Sequence, residues 1–114
     1  MIVRRSDCAV AGTLDVVGDR WTLLIVRDLL FAGELRYGDF LDSPEKIPTN
    51  TLADRLRKLE QAGLVRRELY NERPPRAMYR LTDSGRDLGG VLDAMANWGV
   101  AHLQGTRRLG QQPT

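Results

Sequence analysis

Apolar positions recur at helical spacing in four long stretches and alternate in three shorter ones, and this rhythm predicts the order of elements. Cys8 to Val17 reads as a short helix that Ser6 or Asp7 can cap and Gly18 ends. Asp19 can cap the next helix, Arg20 to Phe31. That segment is apolar almost all round (Trp21, Leu23, Leu24, Ile25, Val26, Leu29, Leu30), so it belongs in the middle of a core. Gly33 stops it, and Glu34-Leu35-Arg36 alternates like a short strand. Gly38 to Asp42 is a weak, short helix with Phe40 and Leu41 facing inward. A turn over Asp42 to Lys46 and then Pro48 separate it from the next helix. That helix is strong: it starts at Thr49, carries Leu52, Leu56 and Leu59 on one stripe, and ends at Gly63.

The period then switches to alternation. Leu64 to Tyr70 and Ala77 to Leu81 read as strands. Asn71 to Arg76 between them is excluded from helix and inner strand by its prolines, which predicts a hairpin with a long, basic, Pro-stiffened tip. Thr82 caps one last helix, Asp83 to Leu103, with Leu88, Val91, Leu92, Met95 and Trp98 on one side. The fold class expected is mainly α with a small β-hairpin: a helix-turn-helix followed by a wing. The 114 residues are one domain's worth of chain, expected over residues 1–105, with a loose polar tail over 106–114.

Composition narrows the class. A hydrophobic fraction of 42% and a charged fraction of 28% are ordinary for a globular protein. A single Cys allows no intrachain disulfide, so a reducing cytoplasm is the expected home. No apolar stretch is longer than Leu23 to Val26, which is too short to span a bilayer, and Ser6 and Asp7 stand where a signal peptide would be apolar; neither a membrane partner nor a leader is expected. One His and one Cys do not compose a zinc site; no cofactor is expected. His102, at a helix end, is explained by the favourable position for a cation. With no Gly-rich phosphate loop and no nucleophile, base and acid cluster, an enzyme is not expected.

Charge changes the picture more. Net charge is +2, and all basic residues except Lys46 and Lys58 are Arg. Arg55 to Arg80 holds eight basic residues and three acids, a local +5 that leaves the rest of the chain at −3. A nearly neutral protein with one concentrated basic stretch has the electrostatic footprint of a nucleic-acid binder. On the helix from Thr49, the face away from the Leu stripe offers Thr49, Asn50, Thr51, Asp54, Arg55, Arg57 and Lys58. Asn suits adenine edges, Asp cytosine amino groups, and Arg or Lys guanine. Alone, this is an ordinary solvated face; in front of a basic wing it points to double-stranded DNA. Asp54 either reads a base or orients Arg57 and Lys58. Arg73 and Arg76 bracket Pro74-Pro75, whose stiffness lowers the entropy lost when Arg meets phosphate.

The ordered strings resemble a known family. Thr13-Leu14-Asp15-Val16-Val17-Gly18-Asp19-Arg20-Trp21-Thr22-Leu23-Leu24-Ile25 is similar to the N-terminal signature of the HxlR-type winged helix-turn-helix regulators. Arg36-Tyr37 followed by Phe40, Leu52 to Glu60 running into Gly63-Leu64-Val65, and Pro74-Pro75-Arg76 with Tyr79, Leu81-Thr82 and Gly85 resemble its short helix, recognition helix and wing. The resemblance implies a bacterial DNA-binding regulator that works as a homodimer through its N- and C-terminal helices. It also implies diverse signals, a small molecule or an electrophile among them. Some members use an N-terminal Cys as a thiol switch; Cys8 stands at that place, followed by Ala9 where Pro is usual. Arg4 and Arg5 would favour its thiolate and Asp7 would oppose it. Leu88, Val91, Leu92, Met95 and Trp98 make more apolar stripe than a small winged-helix core needs, so the last helix, beside the first, is the expected dimer seam. Two other readings stand beside this one. The basic wing could dock an acidic protein, or the helices around Trp21 and Trp98 could form an apolar small-molecule pocket at the seam.

Overall fold

A computed structural model describes residues 4–108; the expected tail beyond Arg108 lies outside the described residues. Helix α1 spans Ala9–Val17, and its first turn is entered through Cys8, whose N–H donates to Ser6 Oγ at 3.2 Å. Helix α2, Thr22–Ala32, begins two residues later than the pattern predicts because Asp19 holds its start. Asp19 Oδ1 accepts the N–H groups of Trp21 (2.8 Å) and Thr22 (2.9 Å), and the Thr22 hydroxyl donates to Oδ2. Strand β1 is the short Leu35–Arg36. The weak helix after it is a 3-10 helix over Tyr37–Asp42 that buries Phe40. Helix α3, Thr49–Gln61, buries Leu52, Leu56 and Leu59 as one stripe. It closes on Gly63, whose φ of +76° lets the Leu64 N–H reach back to the Leu59 carbonyl at 3.0 Å.

Two expectations are corrected. The hairpin has no long tip: β2 spans Val65–Glu72, β3 spans Pro75–Leu81, and Glu72 pairs with Pro75. Only Arg73 and Pro74 form the turn. Pro75 is tolerated because it is the first residue of its strand, and a register shift between Leu69 and Asn71 absorbs Tyr70. The last helix is also not one helix. Thr82 caps α4, Asp83–Arg86, by accepting the Gly85 N–H at 3.2 Å, and α5 starts afresh at Gly89–His102. Gly85 docks so closely beside the residue before β2 that a Cβ there would lie 2.1 Å from the Leu64 carbonyl oxygen, and the chain turns at Asp87 and Leu88 before α5.

The three strands form an antiparallel sheet in the order β1-β3-β2, with Leu35 opposite Tyr79 and Val65 opposite Leu81. The core lies between this sheet, α2 and α3. It contains Ile25, Val26 and Leu29 of α2, the α3 leucines, Phe40, Ile47, Val65, Tyr79 and Leu81. Phe40 meets Tyr79 edge to face at 6.0 Å between ring centroids. The outer helices are arms rather than core: α1 buries only Val17, and α5 buries no residue fully. The radius of gyration of 15.0 Å reflects them, since a compact domain of this length has ~13 Å.

Candidate nucleic-acid interface

The segment between α2 and α3 is held by ion pairs and hydrogen bonds of its own. The Arg27 guanidinium makes a two-pronged pair with Glu45 (2.9 and 2.8 Å) and also meets Asp28, which accepts from the Ser43 hydroxyl. The hydrogen bond from Arg27 holds the Glu45 carboxyl below the usual range. The Tyr37 hydroxyl donates to the Thr49 carbonyl at 2.5 Å and lies 2.8 Å from Thr49 Oγ1. The 3-10 helix is thereby tied to the first residue of α3, and together they form the helix-turn-helix.

On α3, the structure brings some of the expected residues together and takes others away. Thr49 and Asn50 are exposed at its start and Thr51 is half-buried. The Asn50 carboxamide folds back, its Oδ1 accepting the Thr51 N–H at 2.9 Å, so reading a base requires it to turn outward. Asp54 gathers three cations: Arg57 Nη2 at 2.7 Å, Lys58 Nζ at 3.3 Å, and the Arg55 guanidinium. Burial pushes its carboxyl up, but the hydrogen bond and charge of Lys58 and the charges of Arg55 and Arg57 outweigh this and hold it low. Of the two roles open for Asp54 in the sequence, the geometry displays the orienting one. Arg55 turns toward α2: its Nε lies 3.0 Å from Asp19 Oδ1, a close ionic contact not aligned as a hydrogen bond. Its side chain is 23% exposed, against 64% for Arg57 and 62% for Lys58.

Arg73 and Arg76 are exposed on the wing. The sequence reading missed two partners there. The Arg36 guanidinium sits over the Tyr70 ring at 5.4 Å, joining β1 to the wing by a cation–π contact. Arg36, Arg67 and Arg76 then line one shallow groove with Tyr37 and Tyr70, where Asp39 is the one acid. The signal in the sequence was the unpaired Tyr70 at the hairpin's irregular register, legible only once the pairing is known. Tyr37 touches both the α3 start and this groove, which makes helix and wing neighbours.

Away from this surface, Cys8 is exposed at the start of α1. Arg5, expected beside it, is engaged by Asp15 at 2.6 Å. Of the expected seam, Leu88 and Leu92 pack against the protomer's own core, whereas Val91, Met95 and Trp98 are 36%, 53% and 59% exposed. The sequence reading missed Val10, Leu14, Phe31, Val100 and Leu103, also exposed and apolar. Trp98 stacks on His102 at 4.9 Å, while Trp21 packs at the core edge. The two indoles therefore sit in different surroundings. An open cleft of about 580 Å³ runs between α2 and α5, with Leu30, Phe31, Leu92 and Met95 in its wall. Among the described residues, no helix is long and apolar enough to cross a membrane.

Comparison with known proteins agrees with this geometry. The chain is 40% identical over 97 residues to an uncharacterised HTH-type transcriptional regulator of Synechocystis, covering 85% of this chain and 71% of that one. It superimposes on a MarR-family transcriptional regulator of Porphyromonas gingivalis with a TM-score of 0.77 at 29% identity, covering 89% and 98% of the two chains. It also superimposes on the redox regulator HypR in its oxidised form, with a TM-score of 0.74 at 35% identity over 82% and 96%. The fold, the helix and wing surface, and these relatives define a winged helix-turn-helix transcriptional regulator. The family model of HxlR-like helix-turn-helix proteins matches residues 16–107, and the chain belongs to that family.

Proposed function

We propose that the protein works in the cytoplasm as a homodimer on duplex DNA. In this reading α3 of each protomer enters the major groove of one half of a pseudo-palindromic site, and each wing lies along the neighbouring backbone. The observation that carries the reading is the Tyr37 junction: one side chain joins the α3 start to a groove lined by Arg36, Arg67 and Arg76. The homodimer is supported by the apolar side chains that α1 and α5 leave exposed. The experiment is selection from a random duplex pool and then footprinting. Two protected half-sites about one DNA turn (~34 Å) apart are expected; indifference to sequence would overturn the reading in favour of a protein-docking wing.

A second reading concerns the signal, a small molecule or an electrophile. HypR is a redox regulator, and this chain exposes its one Cys at the start of an outer helix. In this reading an adduct or intersubunit disulfide at Cys8 rotates the two recognition helices out of register. Diamide should release operator from the wild type and not from Cys8→Ser. Release from both alike, or from neither, would assign the signal to a non-covalent ligand, with the α2–α5 cleft as its candidate site.

A further inference from the structure

The centre of the DNA-facing surface carries an acid, which a simple phosphate-binding helix would avoid. Asp54 is held from two sides. On one side is Arg55, half-buried and anchored to Asp19 at the start of α2, so it cannot leave without breaking that contact. On the other are Arg57 on Oδ1 and Lys58 on Oδ2, both mostly exposed and able to swing away. Both carboxylate oxygens are therefore occupied, one partner is fixed and two are exchangeable. The three cations and two carboxylates of this chain of contacts leave a single net positive charge where the cations alone would give three.

We propose that Asp54 is a discrimination residue: it withholds Arg57 and Lys58 from phosphate until an amino group on a base edge takes their place. This rests on the DNA-binding reading above. On a random duplex, moving Arg57 and Lys58 to phosphate strips Asp54 of two partners and leaves a carboxylate facing a polyanion, a like-charge juxtaposition that opposes binding. On a site that presents a cytosine N4 or adenine N6 amino group to Asp54, that donor replaces the departing cations. Both then reach phosphate with the Oδ1 that Arg57 vacates partnered again and Arg55 still on Oδ2. The anchored Arg55 keeps the carboxylate in place, so it does not follow the cations outward. An ordinary surface ion-pair cluster would lack this fixed side and would not couple base identity to phosphate contact.

The test compares the full-length wild type with Asp54→Asn on a selected operator and on a scrambled duplex across a salt series. Asp54→Asn should bind the scrambled duplex about tenfold more tightly. Its log affinity against log salt should be steeper by about one to two, because each cation placed on phosphate adds ~0.9. The preference for operator should fall about tenfold. Adding Arg57→Gln to Asp54→Asn should return the slope by about one. Asp54→Glu, which keeps the charge, should retain wild-type discrimination. Wild-type slope and scrambled affinity in Asp54→Asn, equal loss on both duplexes, or an Asp54→Glu protein that behaves like Asp54→Asn would each overturn the proposal alone. A wild type that binds no duplex, selected or scrambled, would overturn the DNA reading and this inference with it.

Discussion

Asp19 shows how much one side chain does in this protein. It caps α2 through two backbone N–H groups and the Thr22 hydroxyl, and it anchors Arg55 of α3. Burial opposes its ionisation, yet these hydrogen bonds lower its pKa from 3.8 to about 2. The folded form holds the carboxylate more tightly than the unfolded chain does. The resulting stabilisation is complete above about pH 4 and is lost as pH falls through about 2. Asp19→Ala should cost about 1 kcal/mol at neutral pH, the usual value of a helix cap. In urea denaturation the gap between variant and wild type should narrow as pH drops from about 4 to about 2; a gap independent of pH would assign the loss to packing. Leu52, completely buried on the inner face of α3, is the contrasting residue. Leu52→Ala should cost ~2–5 kcal/mol at any pH, read by the same titration.

At the scale of elements, the proposed DNA reading gives α3 and the wing different parts in binding. The start of α3 offers Asn50 and Asp54 for base edges, whereas Arg73 and Arg76 on the wing suit phosphate, so their variants should differ in kind. Arg76→Ala should weaken binding to every duplex and make the salt slope shallower by about one, if one phosphate is lost. Asn50→Ala should instead lose ~1–3 kcal/mol of discrimination at one base pair of each half-site. A full substitution scan of the operator separates the two patterns. Uniform loss in Asn50→Ala would mean that its carboxamide stays folded on Thr51 and serves the helix start alone. The short hairpin turn matters here as well. With only Arg73 and Pro74 at the tip, Arg76 lies within the paired strand opposite Asn71 and is held by the ladder. The order that the prolines were expected to supply comes largely from strand pairing.

The whole molecule is extended for its length, 48 × 41 × 24 Å, with α1 and α5 standing off the core. Val91, Met95 and Trp98 on α5 and Val10 and Leu14 on α1 remain exposed in one protomer. Pairing two copies over these arms would bury that surface, and would leave Leu88 and Leu92 in the core where they already pack. Met95→Glu should therefore sediment as a monomer, with weaker operator binding because one half-site no longer tethers the other. Its melting transition should stay cooperative, since Met95 contributes nothing to the buried core. A Met95→Glu protein that remains dimeric would place the seam on another face.

The sequence alone determined whatever depended on local period and cap chemistry. The all-round apolar Arg20–Phe31 segment had to be the central helix, and the stripe of Leu52, Leu56 and Leu59 set which face of α3 turns outward. The switch to alternation announced the wing. Tertiary structure decided where two elements compete for the same atoms. Gly85 packs against the Leu64 carbonyl, a contact that no local pattern shows, and the final helix is split just beyond it. Arg55 shares the polar face of α3 by spacing, yet it turns inward because Asp19, distant in sequence, arrives beside it. Tyr70 and Arg36 meet only after β1 and β2 have both joined β3. Helical and strand periods extend over a few residues, whereas an ion pair or a glycine contact needs the position of a segment far along the chain. That is why the outward face of α3 and the pairing of Asp54 with Arg57 and Lys58 were legible in the sequence and the Asp19–Arg55 anchor was not.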